Sequence, residues 1–503
     1  MPAATGWSNG DGGEAMRSKI SVSTGLLVAM AAAPGLAAPA TSEGASAIAQ
    51  GYAAYFSQAV LDKGYVTVTP QGDDYLVTWD LQKIIDLAKA PPDALRIDKY
   101  SYVLRVTGDD SWTVKADHFP TATFNVPTEK GRMSGTVDLN GFHLDTSYDG
   151  GSPQFLLSHT LASLAVAKIK VAESTGPGDI DVSEAGLAIE TKAKAADGGV
   201  DLTVSQSIAN LSETVLASGE GKSADAFKLT LATGAGSSDA AFAALKAREI
   251  GDLWKFVVAH AGDGPPPPDL KARVAATLPV WKEFRATVEV HDMAVDFAIP
   301  LMPVHAEMKA LSETVAMSGF TPHAFAEVGV KISDLSAKAG MLPPWAASIQ
   351  PASIDVAIKV TVEGMDEVAR LALDDPNFGG KGDLTEATQE KIREIMLNGH
   401  PKLVIAPGRL ATPALEIAYE GELTGEGDQP AGTLTLTANG LDKTQALIQE
   451  IAKTLPDAQK ALLGVAFLKG LATTGADGRL VWKVELSGDG GVTVNGNPMP
   501  TGK

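Results

Sequence analysis

The sequence predicts an α+β fold dominated by long antiparallel β-sheet, built as two related halves with several packing helices. Three observations carry this. Apolar and polar residues alternate over long stretches, polar Gly/Asp turns separate those stretches, and a nine-residue phrase occurs twice. Leu211 to Gly219 reads Leu-Ser-Glu-Thr-Val-Leu-Ala-Ser-Gly; Leu311 to Gly319 reads Leu-Ser-Glu-Thr-Val-Ala-Met-Ser-Gly. Repetition of that length outside low-complexity sequence marks a duplicated structural unit.

Residues 1 to 15 contain two acids and no base, and read as a start-site extension ahead of Met16. From Met16 to Ala40 a basic stretch (Arg17, Lys19), an apolar run and small residues follow in the order of a secretory signal peptide. Cleavage is expected after Ala40 or Ala37, which places the mature chain in the periplasm. Pro34 and Gly35 interrupt the run, and it is shorter than the ~20 residues that cross a bilayer.

A helical face follows at Ile48, Tyr52, Tyr55, Phe56 and Val60. Tyr65 to Thr69 and Tyr75 to Asp80 flank Gln71-Gly72-Asp73-Asp74 as a hairpin, and Tyr100 to Val106 with Trp112 to Ala116 repeat the pattern. Asp197-Gly198-Gly199 separates Leu187 to Ala193 from Val200 to Val204, so the hairpins join into a meander. A second helix is expected from Phe242 and Leu245 through Val258. Gly264-Pro265-Pro266-Pro267-Pro268 then reads as an extended linker. It divides the mature chain into a β-rich half at 41–262 and another at 270–503, joined by 263–269.

In the second half, helices are expected at Asp269 to Phe284, Leu384 to Leu397, Asp442 to Leu455 and Asp457 to Ala472. The cleanest strand is Ile354 to Val362, where Ile354, Val356, Ile358, Val360 and Val362 share one face. Leu434 to Ala438 and Leu480 to Leu486 alternate likewise. A second internal echo pairs Val360 to Asp366 with Leu436 to Asp442. Each is a strand, a Gly turn and an Asp placed to cap the next helix.

Composition narrows the partners. The chain of 503 residues has a net charge of -20 and no cysteine. Disulfides and thiolate sites are excluded, and the negative surface disfavours nucleic acid and anionic lipid headgroups. Gly219-Glu220-Gly221-Lys222-Ser223 ends like a phosphate loop but has Leu216 where the first glycine belongs. His291 and His305, with Glu307, lack further ligands for a metal, and no serine-nucleophile motif is present. Asp375 to Glu386 has a second reading as a calcium loop, with Asp375, Asn377, Asp383 and Glu386 at ligand positions. Gly379 and Gly382 stand where that loop needs a ligand and an apolar residue. The alternative is a helix end followed by a capping box at Asp383 and Glu386. No cofactor is expected.

Near the C-terminus a helix at Ala458 to Ala472 is followed by Asp477-Gly478-Arg479-Leu480-Val481-Trp482 and closes with Val492-Thr493-Val494-Asn495-Gly496. This ending, over about the last fifty residues, resembles an uncharacterised family of exported Gram-negative envelope proteins, YdgA-like in style. The resemblance implies an envelope location and brings no activity or catalytic residues. The leading expectation is a non-enzymatic periplasmic protein whose curved sheet has an apolar face, either a groove for a lipid or other apolar ligand or a core filled by its helices. An envelope scaffold that pairs through a strand edge is the alternative, and a hydrolase without recognisable motif the third.

Overall fold

A computed structural model describes residues 39–86, 94–108, 111–128, 131–148, 159–173, 178–217, 227–261, 267–298, 303–340, 342–380, 382–426 and 429–499. The expected signal segment as far as residue 38, Gly219 to Ser223, and Gly264 to Pro266 lie outside these residues.

Antiparallel pairing joins 26 strands into one sheet. β1 (Val66–Gln71) and β2 (Asp74–Trp79) are followed by β3 (Leu95–Ile97) and β4 (Tyr100–Gly108), then β5 (Ser111–Ala116) and β6 (Ala122–Thr128). β7 (Gly131–Asn140) and β8 (His143–Tyr148) lead to β9 (His159–Glu173) and β10 (Gly178–Ala196). Next come β11 (Gly199–Ile208), β12 (Asn210–Ala217), β13 (Phe227–Thr233), β14 (Ala235–Leu245), β15 (Glu283–Ala298) and β16 (Val304–Ser318). β17 (His323–Ser333), β18 (Ser336–Ala339), β19 (Ser353–Glu363), β20 (Lys402–Ala411), β21 (Glu416–Glu426) and β22 (Gln429–Asn439) continue it. β23 (Thr473–Thr474), β24 (Leu480–Leu486), β25 (Val492–Val494) and β26 (Asn497–Pro498) end it.

The ten helices of the described residues fill the connections: α1 (Ser42–Phe56), α2 (Ala59–Asp62), α3 (Leu81–Asp86), α4 (Ala247–Ala259) and α5 (Leu270–Ala276). α6 (Ala346–Ile349), α7 (Met365–Asp374), α8 (Glu386–Asn398), α9 (Leu441–Ala452) and α10 (Ala458–Leu471) complete the set.

Several consecutive strands are two segments of one longer strand. β11 and β12 both pair with β10, and β13 and β14 both pair with β15, with only Ala209 and Gly234 between the segments. The interruptions line up. Gly141 faces Ala165, Ala165 faces Gly186, and Gly186 faces Ala209; Gly234 faces Asp292, which faces Lys309 and then Asp334. Gly141, Gly186, Asp292 and Asp334 have φ of 68, 67, 49 and 51°, a region that Gly and Asp enter at least cost. A transverse crease therefore crosses the sheet from β7 to β18.

Burial changes phase at this crease. In β9 the buried residues are Thr160 and Leu164, four apart, and then Ala167, three further on, an odd step where period two requires an even one. Across β11 and β12 the half-buried positions run Val204, Gln206, Ile208 and then Leu211, Glu213. An extra residue at the same level in successive strands keeps the apolar side chains on one face while the ladder stays in step.

The ladder also joins the strands on either side of the proline segment. β14 and β15 pair from Ala235↔His291 to Ala243↔Glu283. Phe242 and Leu245, expected in a helix, belong to β14, and α4 starts at Ala247. The expected helix at Asp269 to Phe284 ends at Ala276, because Glu283 and Phe284 are already paired in β15.

The second echo is a shared joint. Gly364 and Gly440, with φ of 81 and 93°, occupy the N-cap positions of α7 and α9. Asp366 and Asp442 were expected as caps, but they sit in the first turn, where a carboxylate favours the helix dipole without capping it.

Candidate functional site

The cross-strand register places one uncharged row on the inner face of nearly the whole sheet. Leu104, Val114, Thr146, Thr160, Thr191 and Val204 are successive partners. The row continues through Ala240, Ala286, Val315, Val328 and Ile358 to Ile405. Gly421, Leu434, Val484 and Val494 carry it to β25. The opposite face is wet and carries ion pairs such as Lys331–Asp355 at 3.2 Å, Lys402–Glu422 at 2.6 Å and Lys483–Glu485 at 2.6 Å.

Helices cover the two ends of this apolar face. At the N-terminal end α1 buries Ile48 and Tyr52 against Val77, Tyr102, Leu104, Trp112, Val114 and Leu144. The Tyr52 and Tyr102 hydroxyls are 2.5 Å apart, and Trp79 Nε1 donates to Tyr102 at 3.5 Å. Burial pushes the Tyr102 phenol up to about 12, although the hydrogen bonds to Trp79 and Tyr52 work against it. It stays neutral at ordinary pH, so this region is core. At the C-terminal end Leu441 of α9 and Leu471 of α10 pack over Ala438, Trp482 and Val494.

Between the two covered ends the face is open. Val288, Val328, Ile358 and Val360 are 40, 54, 40 and 42% exposed. Val328 and Ile358 are direct partners, and Val360 lies opposite Ala326. Their β-branched side chains are held by paired backbone on both sides, which makes the patch stiff. Val328, Ile358 and Val360 are neighbouring aliphatics that form a surface for hydrocarbon, and Val288, two strands away on β15, lies on the same face beside Glu313.

The calcium-loop residues are used internally. Asp375 is buried, and its carboxylate accepts from Asn377 N at 2.8 Å, Thr385 N at 3.0 Å and Thr385 Oγ1 at 2.6 Å. Burial acts to raise this carboxyl. The Thr385 and Thr388 hydroxyls and the Asn377 and Thr385 backbone outweigh it and hold it at about 2. Asn377 turns its amide nitrogen to the Asp383 carbonyl at 2.8 Å, so its side chain donates where a cation ligand must offer oxygen. The α8 N-cap is Thr385, which accepts from Thr388 N, and Asp383 does not fill that position. Glu386 is the first residue of α8.

His305 Nδ1 lies 2.7 Å from Asp296 and its Nε2 3.5 Å from Glu307, whereas His291 lies 3.8 Å from Glu289. The structure therefore brings His305 and Glu307 together and leaves His291 apart from them. Among the described residues no group of three or more His, Asp or Glu is arranged to hold a metal ion.

Both copies of the repeated phrase start just past the crease. Leu211 follows Ala209 and Asn210, and Leu311 follows Lys309 and Ala310. Leu311 lies opposite Val290 and Ile332, and Val315 opposite Ala286 and Val328, so both belong to the apolar face. Glu313 occupies that same face, opposite Val288 and Val330. Sequence reasoning passed over this glutamate because its Ser and Thr neighbours set the polar reading. Compared with known protein families, curated proteins and solved structures, the chain matches none.

Proposed function

We propose that this is a non-enzymatic, exported envelope protein that binds the hydrocarbon chain of a lipid along the open stretch of its apolar sheet face. The observation that carries the reading is the window of Val288, Val328, Ile358 and Val360, exposed between two helix-covered ends. The signal-like N-terminus and the YdgA-like C-terminal ending support an envelope location. The duplicated phrase, with both copies beginning just past the crease, supports a sheet that grew from two related halves.

Pairing with an envelope protein through a strand edge has less support. β1 contains Pro70, and β26 has two residues, one of them Pro498; proline and short length both blunt an edge.

A chain-length series tests the reading. Each methylene removed from water contributes ~0.8 kcal/mol, about a fourfold gain in affinity. Delipidated protein should bind fatty acids with a Kd that falls about fourfold per added CH2, until the chain outgrows the window. Val328→Asp with Ile358→Asp should abolish the gradient and leave the circular dichroism spectrum unchanged. Absence of uptake of labelled fatty acid or phospholipid by the unsubstituted protein refutes the reading.

A further inference from the structure

Glu313 breaks the pattern of the face on which it stands. Its neighbours two places along β16 are Leu311 and Val315, and its cross-strand partners are Val288 on β15 and Val330 on β17. The inward positions of β17 and β19, from Ala324 to Ile332 and from Ile354 to Val362, are aliphatic throughout. Glu313 is exposed, and among the described residues no hydrogen bond or ion pair reaches it. Acids of the wet face are held differently, since Asp355, Glu422 and Glu485 each have a lysine partner. A sheet that keeps its pattern elsewhere departs from it where a function requires.

The duplicated phrase puts a second carboxylate in the equivalent place. Glu213 lies between Leu211 and Val215 along β12 and opposite Leu231 on β13, and among the described residues it too has no hydrogen bond or ion pair. The inward acid is kept in both copies, while Leu216 and Ala217 give way to Ala316 and Met317. It belongs to the repeated unit and not to one strand. In the second copy it borders the open window. Val288, opposite Glu313, is one of the exposed aliphatics, and β-carbons in such a pair are about 5 Å apart. Val328 pairs with Val315, which makes it the diagonal neighbour of Glu313 at about 7 Å.

We propose that the acyl-binding window takes lipids whose head group presents an ammonium, and that Glu313 is the residue that receives it. The assignment rests on the hydrocarbon reading of the window. Apolar ligand sites carry a small number of polar groups that fix orientation and select the head. Here that group is an anion with no cation of its own, in a chain of net charge -20. A carboxylate head is repelled by it and a hydroxyl offers one neutral hydrogen bond, whereas an ammonium brings both positive charge and several donors. The hydrocarbon then crosses β17 and β19 over Val328, Ile358 and Val360, with its polar end at β16.

Probes of equal chain length test the proposal on the full, delipidated chain. Dodecylamine should bind more tightly than dodecanoate, and Glu313→Gln, which keeps the side-chain shape, should cut that ratio about fivefold. Glu313→Lys should reverse the preference. Glu327→Gln is the control, because Glu327 precedes Val328 on β17 but pairs with Lys359 on the wet face. It removes the same charge from outside the window and should leave the ratio unchanged. An unchanged ratio in Glu313→Gln overturns the proposal. So does an equal fall in Glu327→Gln, since the field of the whole chain would then set the preference. If dodecanoate and dodecylamine bind alike, the acyl window stands and the ammonium seat falls; if neither binds, the window itself fails and the seat with it.

Discussion

Gly186→Ala is the sharpest test of the crease. Gly186 has φ of 67°, and a Cβ built there falls 2.8 Å from the Ala209 Cβ on the neighbouring strand. A non-glycine residue in that backbone region costs ~1–2 kcal/mol, and forcing a methyl into occupied space costs a further ~1–3 kcal/mol. Gly198 supplies the control, because its φ of 80° imposes the same backbone penalty with nothing within 4 Å of the added Cβ. Loss of unfolded-state freedom is common to both alanines and cancels. Gly186→Ala should therefore destabilise the sheet by ~1–3 kcal/mol more than Gly198→Ala. Urea unfolding of both variants, with amide exchange along β10 and β11, measures the difference. Equal destabilisation would refute the close approach across the crease.

Two titrations follow from side-chain partners. Hydrogen bonding to Asp296 comes first in raising the His305 pKa, with Glu307 adding to it against some desolvation. A raised folded pKa contributes stability that is present below about pH 6.5 and lost as pH rises through the folded value; Asp296→Asn should bring the His305 NMR midpoint down, and an unchanged midpoint would remove Asp296 as the cause. Asp375 is held at about 2. Its stabilising contribution is present above about pH 4 and lost as pH falls towards the folded value. Asp375→Asn should therefore flatten the acid limb of thermal stability between those limits, and calcium should leave the melting temperature of the unsubstituted protein unchanged. A calcium-dependent rise would restore the ligand reading of the loop.

Period-two stretches were the most legible part of the sequence. Ile354 to Val362 and Leu480 to Leu486 became β19 and β24 almost residue for residue, because one wet and one dry face leave a strand no second register. The helical reading of Phe242 and Leu245 failed for a physical reason. β14 is composed largely of Ala, Gly and Ser, so its alternation carries little hydrophobic contrast. The crease was also written in the chain: β15 runs Ala286, Val288, Val290 and then Met293, Val295, Phe297. Its meaning emerges only when the same one-residue step is seen in the neighbouring strands.

The apolar face was legible, but its open stretch was not. Alternation names the residues on a face and says nothing of which helix returns to cover them. That depends on the joints at Gly364 and Gly440 and on the anchoring of α10 by Trp482, which are contacts between distant segments. Asp375 was similarly ambiguous in sequence, since a carboxylate followed by Asn, Gly and Thr serves a cation loop or a helix start. Its three hydrogen-bond donors decide between them.

The aligned interruptions also restrict how such a chain can be edited. Removing Ala209 alone would advance everything beyond it by one place and turn Leu211 and Val215 out into water while their neighbours stayed inside. A compensated edit has to come as a matched pair of strands, each with its own spare residue at the common level. Length is therefore added or removed in hairpins, and a sheet assembled that way can widen its lining without redrawing its cross-section.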